Sequence, residues 1–196
     1  MDVEVGARVL SRCPELPRHL WTVDEYHRMG EVGLLDADTR VELIEGEIVE
    51  MAPIGDAHAA ISNRLTRLLV LAVGERGIVA VGNPVRLSLH SEPQPDFSVL
   101  RPRADYETRG PRPEDVMLAV EVSDTTLRRD RQVKLALYAN AGIREFWIVN
   151  LEVREVEIYR SPGGETYASV ERKGVGDVAT IEAIPAVTIA ISEMLG

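Results

Sequence analysis

The chain of 196 residues has little cysteine and no long apolar run. A lone Cys13 excludes an intrachain disulfide and a cysteine-rich zinc site. The apolar runs are far shorter than the roughly 20 residues that cross a bilayer. The N-terminus carries Asp2 and Glu4 and lacks the apolar segment of a secretory signal. These absences predict a cytoplasmic protein with no membrane partner.

Positive charge is also scarce, because the formal net charge is −10 at pH 7 and the sequence pI is about 4.9. That balance disfavours a protein that holds nucleic acid by charge alone. The exception is the stretch from Arg101 to Lys134, in which basic residues slightly outnumber acidic ones. We expect this least acidic part of the chain to surround a functional site. A solvated loop of mixed charge would have the same composition.

Length and composition predict a single globular domain with a full core. Residues 1–19 show no periodicity and are predicted to form a loose lead-in to a domain that spans residues 20–196. The order of helical and strand patterns predicts an α/β (α+β) fold. We expect a mixed central sheet flanked by helices, with additional antiparallel hairpins.

Local signals predict most elements of this fold. Thr22 is expected to cap a helix through Met29, and Asp56 to cap another through about Glu75. A hairpin is predicted over residues 40–51, and a further helix over residues 124–140. The remaining predicted strands are 78–81, 85–89, 97–100, 116–122, 145–149, 155–159, 166–171 and 178–181, followed by a short strand after Pro185 and a helix over residues 191–195. A turn is predicted over residues 161–164.

Two of the predicted strands carry one carboxylate each. Asp96 opens the apolar run 97–100, and Glu121 lies near the end of the run 116–122. An ionised carboxylate is costly to bury without a partner. If the two strands are antiparallel neighbours, the start of one lies beside the end of the other, so both carboxylates converge. A cation would relieve their repulsion, and magnesium or manganese prefers such oxygen ligands.

The helix after the second strand carries Asp130, Lys134 and Tyr138 at four-residue intervals, so these side chains share one face. Lys134 can reach the same end of the sheet as Asp96 and Glu121. There its ammonium would orient the attacking water or neutralise charge that develops on a phosphate.

Each of these signals also has an ordinary structural explanation. The spacing of Asp130 and Lys134 is typical of a surface ion pair, and Tyr138 of a core aromatic. His58, in the first turn of its helix, reads as a polar cap or surface residue. Glu42 lies in an alternating hairpin strand and reads as solvent-facing.

The apolar residues near Lys134 favour its functional interpretation. Val133, Leu137 and Ala141 are predicted to form a buried stripe, and Lys134 lies at the boundary of that stripe. A lysine at such a boundary can extend along the end of the sheet. Replacing it with alanine is therefore expected to leave folding nearly intact.

Together these motifs resemble the Uma2 family, a bacterial group of endonucleases in the PD-(D/E)XK, restriction-endonuclease-like superfamily. The resemblance runs from about Thr22 to Ile191. The matching segments are Val41-Glu42-Leu43-Ile44-Glu45-Gly46-Glu47-Ile48, Met51-Ala52-Pro53 with His58, Gln94-Pro95-Asp96-Phe97-Ser98-Val99, Glu121-Val122-Ser123, Asp130, Lys134, Tyr138, Gly142 and Glu145-Phe146-Trp147-Ile148-Val149.

The resemblance implies that Asp96 and Glu121 bind magnesium or manganese, with help from the Val122 carbonyl. It implies that Glu42 is an additional catalytic acid beside Lys134. The supporting residues that it suggests are His58, Gln94, Asp130 and Tyr138. Where the superfamily has a lysine two residues after the second acid, this chain has Ser123. The resemblance implies that Lys134 of the next helix replaces that lysine.

Three functions follow from these observations. The first is a metal-dependent endonuclease that hydrolyses DNA phosphodiester bonds. The second is a catalytically silent module of the same fold that binds nucleic acid or protein. The third is a metal-dependent phosphoester hydrolase for small substrates. The oligomeric state stays open, although enzymes that cut duplexes often pair two sites in a homodimer.

Overall fold

The computed structural model describes residues 17–36 and 38–196. The prediction for Cys13 and most of the predicted lead-in 1–19 lie outside these residues. The helices are α1 (Val23–Glu31), α2 (Asp56–Val73), α3 (Tyr106–Arg109), α4 (Leu127–Arg129), α5 (Leu135–Asn140) and α6 (Ile191–Leu195). A π-helical turn, Asp130–Lys134, joins α4 to α5, and short 3-10 turns cover Gly74–Arg76 and Pro113–Asp115.

The strands are β1 (Val41–Ile44), β2 (Glu47–Glu50), β3 (Ile78–Val81), β4 (Phe97–Leu100), β5 (Val116–Ser123), β6 (Glu145–Asn150), β7 (Glu155–Gly163), β8 (Thr166–Lys173), β9 (Val178–Thr180) and β10 (Thr188–Ala190). Six of them form one sheet in the order β3-β4-β5-β6-β7-β8. Only β5 and β6 run parallel, and the other neighbours are antiparallel. The predicted mixed sheet is confirmed. The additional antiparallel hairpin is β1–β2, and β9 pairs with β10.

Both faces of the large sheet are covered. Helix α2 buries Ile61, Leu65, Leu69 and Val73 at helical spacing against one face. The other face carries a cluster of aromatic rings at centroid distances of 5.0 to 6.4 Å, which joins α5 to the strands: Tyr138, Phe146, Tyr159 and Tyr167. Because β5 and β6 are covered on both sides, their near-continuous apolar sequences follow from their central place in the sheet.

The predicted strand 85–89 is wrong. This segment folds into a loop in which Val85 N–H donates to the Pro93 carbonyl and Leu87 N–H to the Ser91 carbonyl. Pro84 and Pro93 lack N–H donors, so they cannot extend a ladder across this part of the chain. The loop returns the chain from β3 to β4 and places Gln94 beside the β1–β2 hairpin.

Smaller differences concern helix starts and one turn. Thr22 caps α1 as predicted, with a reciprocal bond to Glu25. Asp56, however, is the first residue of α2, and Gly55 is its N-cap. The predicted turn at 161–164 is narrower, because β7 continues through Gly163 by pairing with β8. None of the helices in the described ranges is long and apolar enough to cross a membrane.

Gly77 fixes the close approach of α2 to the sheet, and we predict that Gly77→Ala destabilises the fold. A Cβ at this position would lie 2.8 Å from Met117 Cε and 2.9 Å from the carbonyl oxygen of Leu100, which is backbone and cannot move aside. Overpacking of this kind costs about 1–3 kcal/mol. Urea unfolding would measure the loss.

Gly30→Ala is the matched control, because an added Cβ at Gly30 in α1 meets no atom within 4 Å. Its free energy of unfolding should stay the same or rise slightly, since glycine is a poor helix residue. Equal destabilisation by both changes would mean that the contact at Gly77 is not the cause.

Candidate active site

Asp96 and Glu121 meet at one end of the large sheet. Strand β4 pairs antiparallel with β5, and Phe97 lies opposite Val120, so Asp96 at the start of β4 lies beside Glu121. Both side chains line one cavity of about 180 Å³. The convergence that the sequence predicted is therefore present in the structure.

Asp96 is held by one of its two carboxylate oxygens. Val122 N–H donates to Oδ2 at 2.7 Å, and His58 Nε2 lies 3.1 Å from the same atom. The hydrogen bond to Asp96 raises the pKa of His58, although burial opposes the shift. Among the described residues, no donor contacts Asp96 Oδ1. Thus His58 and Val122 orient Asp96 and leave one oxygen available to the cavity.

Glu121 is held in the same one-sided way. The Tyr138 hydroxyl donates to its Oε1 at 2.7 Å, and Lys134 Nζ lies 3.2 Å from that atom. Within the described chain, Oε2 has no hydrogen-bond partner. Burial raises the pKa of Glu121 to about 8, and Asp96 adds to the shift while Lys134 and Tyr138 oppose it. A second cation near Glu121 would favour its ionised form.

Lys134 is clamped between two acids. Its ammonium donates to Glu42 Oε2 at 2.6 Å and also faces Glu121. Only 3% of Lys134 and 1% of Glu42 are exposed, which excludes the solvent-facing alternatives for both residues. Burial would lower the pKa of Lys134, but Glu121 and Glu42 raise it above its ordinary value. The ammonium therefore stays charged.

Glu42 uses both of its oxygens within the protein. Oε1 pairs with Arg129, while Oε2 accepts from Lys134 and, at 3.2 Å, from the Gln94 N–H. The side-chain amide of Gln94 also donates, from Nε2, to the Val41 carbonyl at 3.3 Å. This geometry makes Glu42 an anchor for Lys134, because both of its oxygens are already paired within the protein.

A π-helical turn directs Lys134 inward. The Leu135 N–H bonds to the Asp130 carbonyl, five residues back, so the turn takes one residue more than an α-helical turn. The predicted buried stripe is wrong at Val133, which is 40% exposed, whereas Leu137 is buried. The burial of Lys134 instead leads us to expect that Lys134→Ala destabilises the fold, because it would leave buried carboxylates without their cation.

Asp130 is buried and forms no ion pair with Lys134. Ser123 Oγ and Thr126 Oγ1 each donate to Asp130 Oδ2 at 2.6 Å. Burial raises the pKa of Asp130, and these two hydroxyl bonds oppose the shift. Ser123 stands where the superfamily has its lysine. Here it ties β5 to the turn that carries Lys134.

The Val122 carbonyl faces the cavity side of β5. The Ser123 carbonyl accepts from the Leu151 N–H, on the β6 side of β5. Because successive residues of a strand point their backbone groups to opposite sides, the N–H and C=O of Val122 point toward β4. Its N–H bonds to Asp96, and the position opposite is Pro95, which has no N–H. The carbonyl is thus without a backbone donor from that position.

The sequence analysis missed several residues that line the cavity, chiefly Arg40, Asp124 and Arg129. The sequence feature that could have indicated Arg129 as a site residue is its position directly before Asp130, in a chain poor in positive charge. The predicted basic surroundings are wrong in part. The loop that contains Arg103 and Arg109 joins β4 to β5 at the far end of the sheet, where Arg103 pairs with Asp105 and Arg109 with Asp115.

The family model of Uma2, described as "Putative restriction endonuclease", matches residues 23–192. The chain belongs to the Uma2 family. The Uma2 chain also resembles a solved protein from Anabaena variabilis, described as "a putative nuclease belonging to DUF820". The TM-score is 0.68 at 16% identity, over 89% of this chain and 97% of the other. No curated protein matches the chain. The structural similarity shows that the two proteins share a fold, and the family match supports a nuclease-like function.

The raised pKa of Glu121 predicts a pH-dependent stability. Between the ordinary pKa of 4.5 and about 8, the folded Uma2 protein keeps a proton on Glu121 that the unfolded chain has lost. Stability in metal-free buffer should therefore fall as the pH rises through this window. Glu121→Gln should reduce the slope, because the amide does not titrate and its oxygen can still accept from Tyr138. Urea unfolding across this pH range would measure it.

Glu165→Gln, in the exposed turn between β7 and β8, is the control and should follow the wild type. An unchanged slope in Glu121→Gln would show that Glu121 is ionised throughout this range.

Proposed function

We propose that this Uma2 protein is a metal-dependent endonuclease that hydrolyses DNA phosphodiester bonds. The observation that carries the proposal is the convergence of Asp96, Glu121 and a clamped Lys134 on one cavity. The family assignment supports a nuclease. From the sequence we also predict that the protein is cytoplasmic and forms a homodimer.

The donors at the cavity fit a magnesium or manganese ion. Three oxygen atoms accept no hydrogen bond from the described residues: Asp96 Oδ1, Glu121 Oε2 and the Val122 carbonyl oxygen. All three residues line the cavity. Within residues 17–36 and 38–196, no group of three or more His, Cys, Asp and Glu side chains is placed to hold a metal. A site with two carboxylates leaves positions for water and substrate phosphate, as magnesium sites usually do.

The residues of the site have separate roles in the proposed hydrolysis. Asp96, Glu121 and Val122 would hold the ion, which supplies Lewis-acid polarisation of the phosphoryl oxygen when bound. Lys134 keeps its proton, so it acts as a fixed positive charge and hydrogen-bond donor to the phosphoryl oxygens or the attacking water, not as a base. Water adds its oxygen to phosphorus while one P–O ester bond breaks, and the proton that the water loses is balanced by protonation of the leaving alkoxide to an alcohol.

The alternatives explain the site less well. A silent binding module fits the acidic pI of about 4.9, but it does not require Asp96 to lie with Glu121 and the buried Lys134 at one cavity. Such an arrangement carries a large desolvation cost. A hydrolase for small substrates needs a pocket that encloses its ligand, whereas this cavity opens into a broader groove that shares part of its lining. The cavity of about 180 Å³ suits a phosphate group of a polymer that lies mostly outside it.

Asp96→Asn should weaken manganese binding measured by calorimetry, because it removes the charge of one proposed ligand while keeping the size of the side chain. Asp56→Asn, in the exposed first turn of α2, is the matched control and should bind as the wild type does. If both variants bind manganese equally well, Asp96 does not hold the ion.

Lys134→Gln should reduce magnesium-dependent cleavage of plasmid and oligonucleotide DNA by about 100-fold or more, because the developing phosphate charge loses its nearest cation. Lys134→Arg should rescue little, since its guanidinium has a different donor geometry. Near-UV circular dichroism at low temperature would identify conditions under which the less stable variants are folded.

Lys173→Gln is the matched control for Lys134→Gln, because Lys134 and Lys173 are the two lysines of the chain. Lys173 pairs with Glu171 on β8, away from the cavity, so cleavage should be unchanged. A folded Lys134→Gln protein that cuts DNA at the wild-type rate would remove the lysine from the mechanism.

A further inference from the structure

A broad groove adjoins the cavity and is continuous with it. One wall is the chain that follows β2, from Glu50 to Pro53, and the other is the start of the lysine-bearing helix. Cavity and groove share Met51, Ala52, Pro53, Thr125, Thr126 and Arg129 as lining residues. The groove has a volume of about 640 Å³, so a polymer with one group in the cavity has room to extend along it.

The exposed cations at this place have no acidic partner. Arg128 lines the groove and donates to the Gln132 amide oxygen at 3.3 Å, and Arg40 lines the cavity and donates to the Ala52 carbonyl at 3.0 Å. Within the described ranges, neither guanidinium lies within 4.0 Å of a carboxylate. By contrast, Arg103 and Arg109 at the far end of the sheet are neutralised by acids. Because these unpaired charges lie at the cavity and groove, in a chain of net charge −10, they favour the binding of an anion at this place.

The groove is also partly apolar. Met51, Pro53 and the exposed Val133 line it beside Arg128 and Gln132. The outward position of Val133 follows from the same π-helical turn that sends Lys134 inward. A single nucleic-acid strand presents phosphates together with apolar sugar and base surfaces, which matches this mixture. The lining has no aromatic side chain for stacking, so we expect weak binding without sequence preference.

We propose that the groove binds the cleaved strand next to the scissile phosphate, with Arg128 on a phosphate in the groove. Arg40, which lines the cavity but not the groove, contacts the phosphate on the other side of the scissile bond. The inference rests on the proposed nuclease function for the position of the scissile phosphate, and it adds the path of the strand across the surface.

The test is binding of a fluorescein-labelled single-stranded DNA oligonucleotide, measured by anisotropy over a salt series in EDTA. Arg128→Gln and Arg40→Gln should each weaken binding about threefold or more at low salt. Each should also reduce the slope of log affinity against log salt by about 0.7, the value for one lost phosphate contact. Arg144→Gln is the control, because Arg144 is exposed before β6 and likewise forms no ion pair in the described chain.

Val133→Asp tests the groove without removing an arginine. It places a negative charge on an exposed position in the groove, so it should weaken binding, whereas Val170→Asp on exposed β8 should not. Equal affinity and salt slope in Arg128→Gln and Arg144→Gln would overturn the proposed path. Because EDTA removes metal, the binding assay does not depend on cleavage. If the protein binds the strand through Arg128 but never cuts DNA, only the nuclease function is refuted.

Discussion

The site depends on one buried charge, the Lys134 ammonium, which holds two carboxylates from different parts of the chain. Glu42 comes from the β1–β2 hairpin and Glu121 from the centre of the large sheet. Neither acid would tolerate full burial alone, and the lysine would not either. Their mutual contact fixes how the hairpin, the sheet and the helix fit together. The same contact leaves one oxygen of Glu121 turned toward the cavity.

The sequence was sufficient for most of the order of elements, apart from the strand predicted over residues 85–89, and for the position of the two carboxylates. Asp96 and Glu121 were placed correctly because apolar runs reveal strands, and antiparallel neighbours bring the start of one strand beside the end of the next. The helical spacing after the second strand supplied Lys134 as a member of the site, and the family resemblance supplied Glu42. Their arrangement is new information, since the pairing of Glu42 with Lys134 joins residues 92 positions apart.

The remaining features could not be read from a regular helical pattern. Periodicity assumes an α-helix throughout, so it placed Val133 inside and could not show the wider turn at Asp130–Lys134. The family resemblance placed Ser123 at the position of the usual lysine and assigned it no role of its own. The structure shows that Ser123 binds Asp130 and so secures the helix that brings Lys134 into the site. Ser123, in the place of the usual lysine, and Lys134, which replaces that lysine, are thus connected through Asp130.

The separation of the hairpin from the large sheet has a consequence for the order of folding. The β1–β2 hairpin forms a sheet of its own, and its link to Lys134 closes a loop of most of the central chain. Contacts between such distant residues form late, because closing a long loop costs entropy before it gains any contact. A chain with its large sheet complete but its hairpin undocked would hold Lys134 without Glu42. We therefore expect the complete site to form only after the hairpin has docked and Glu42 has reached Lys134.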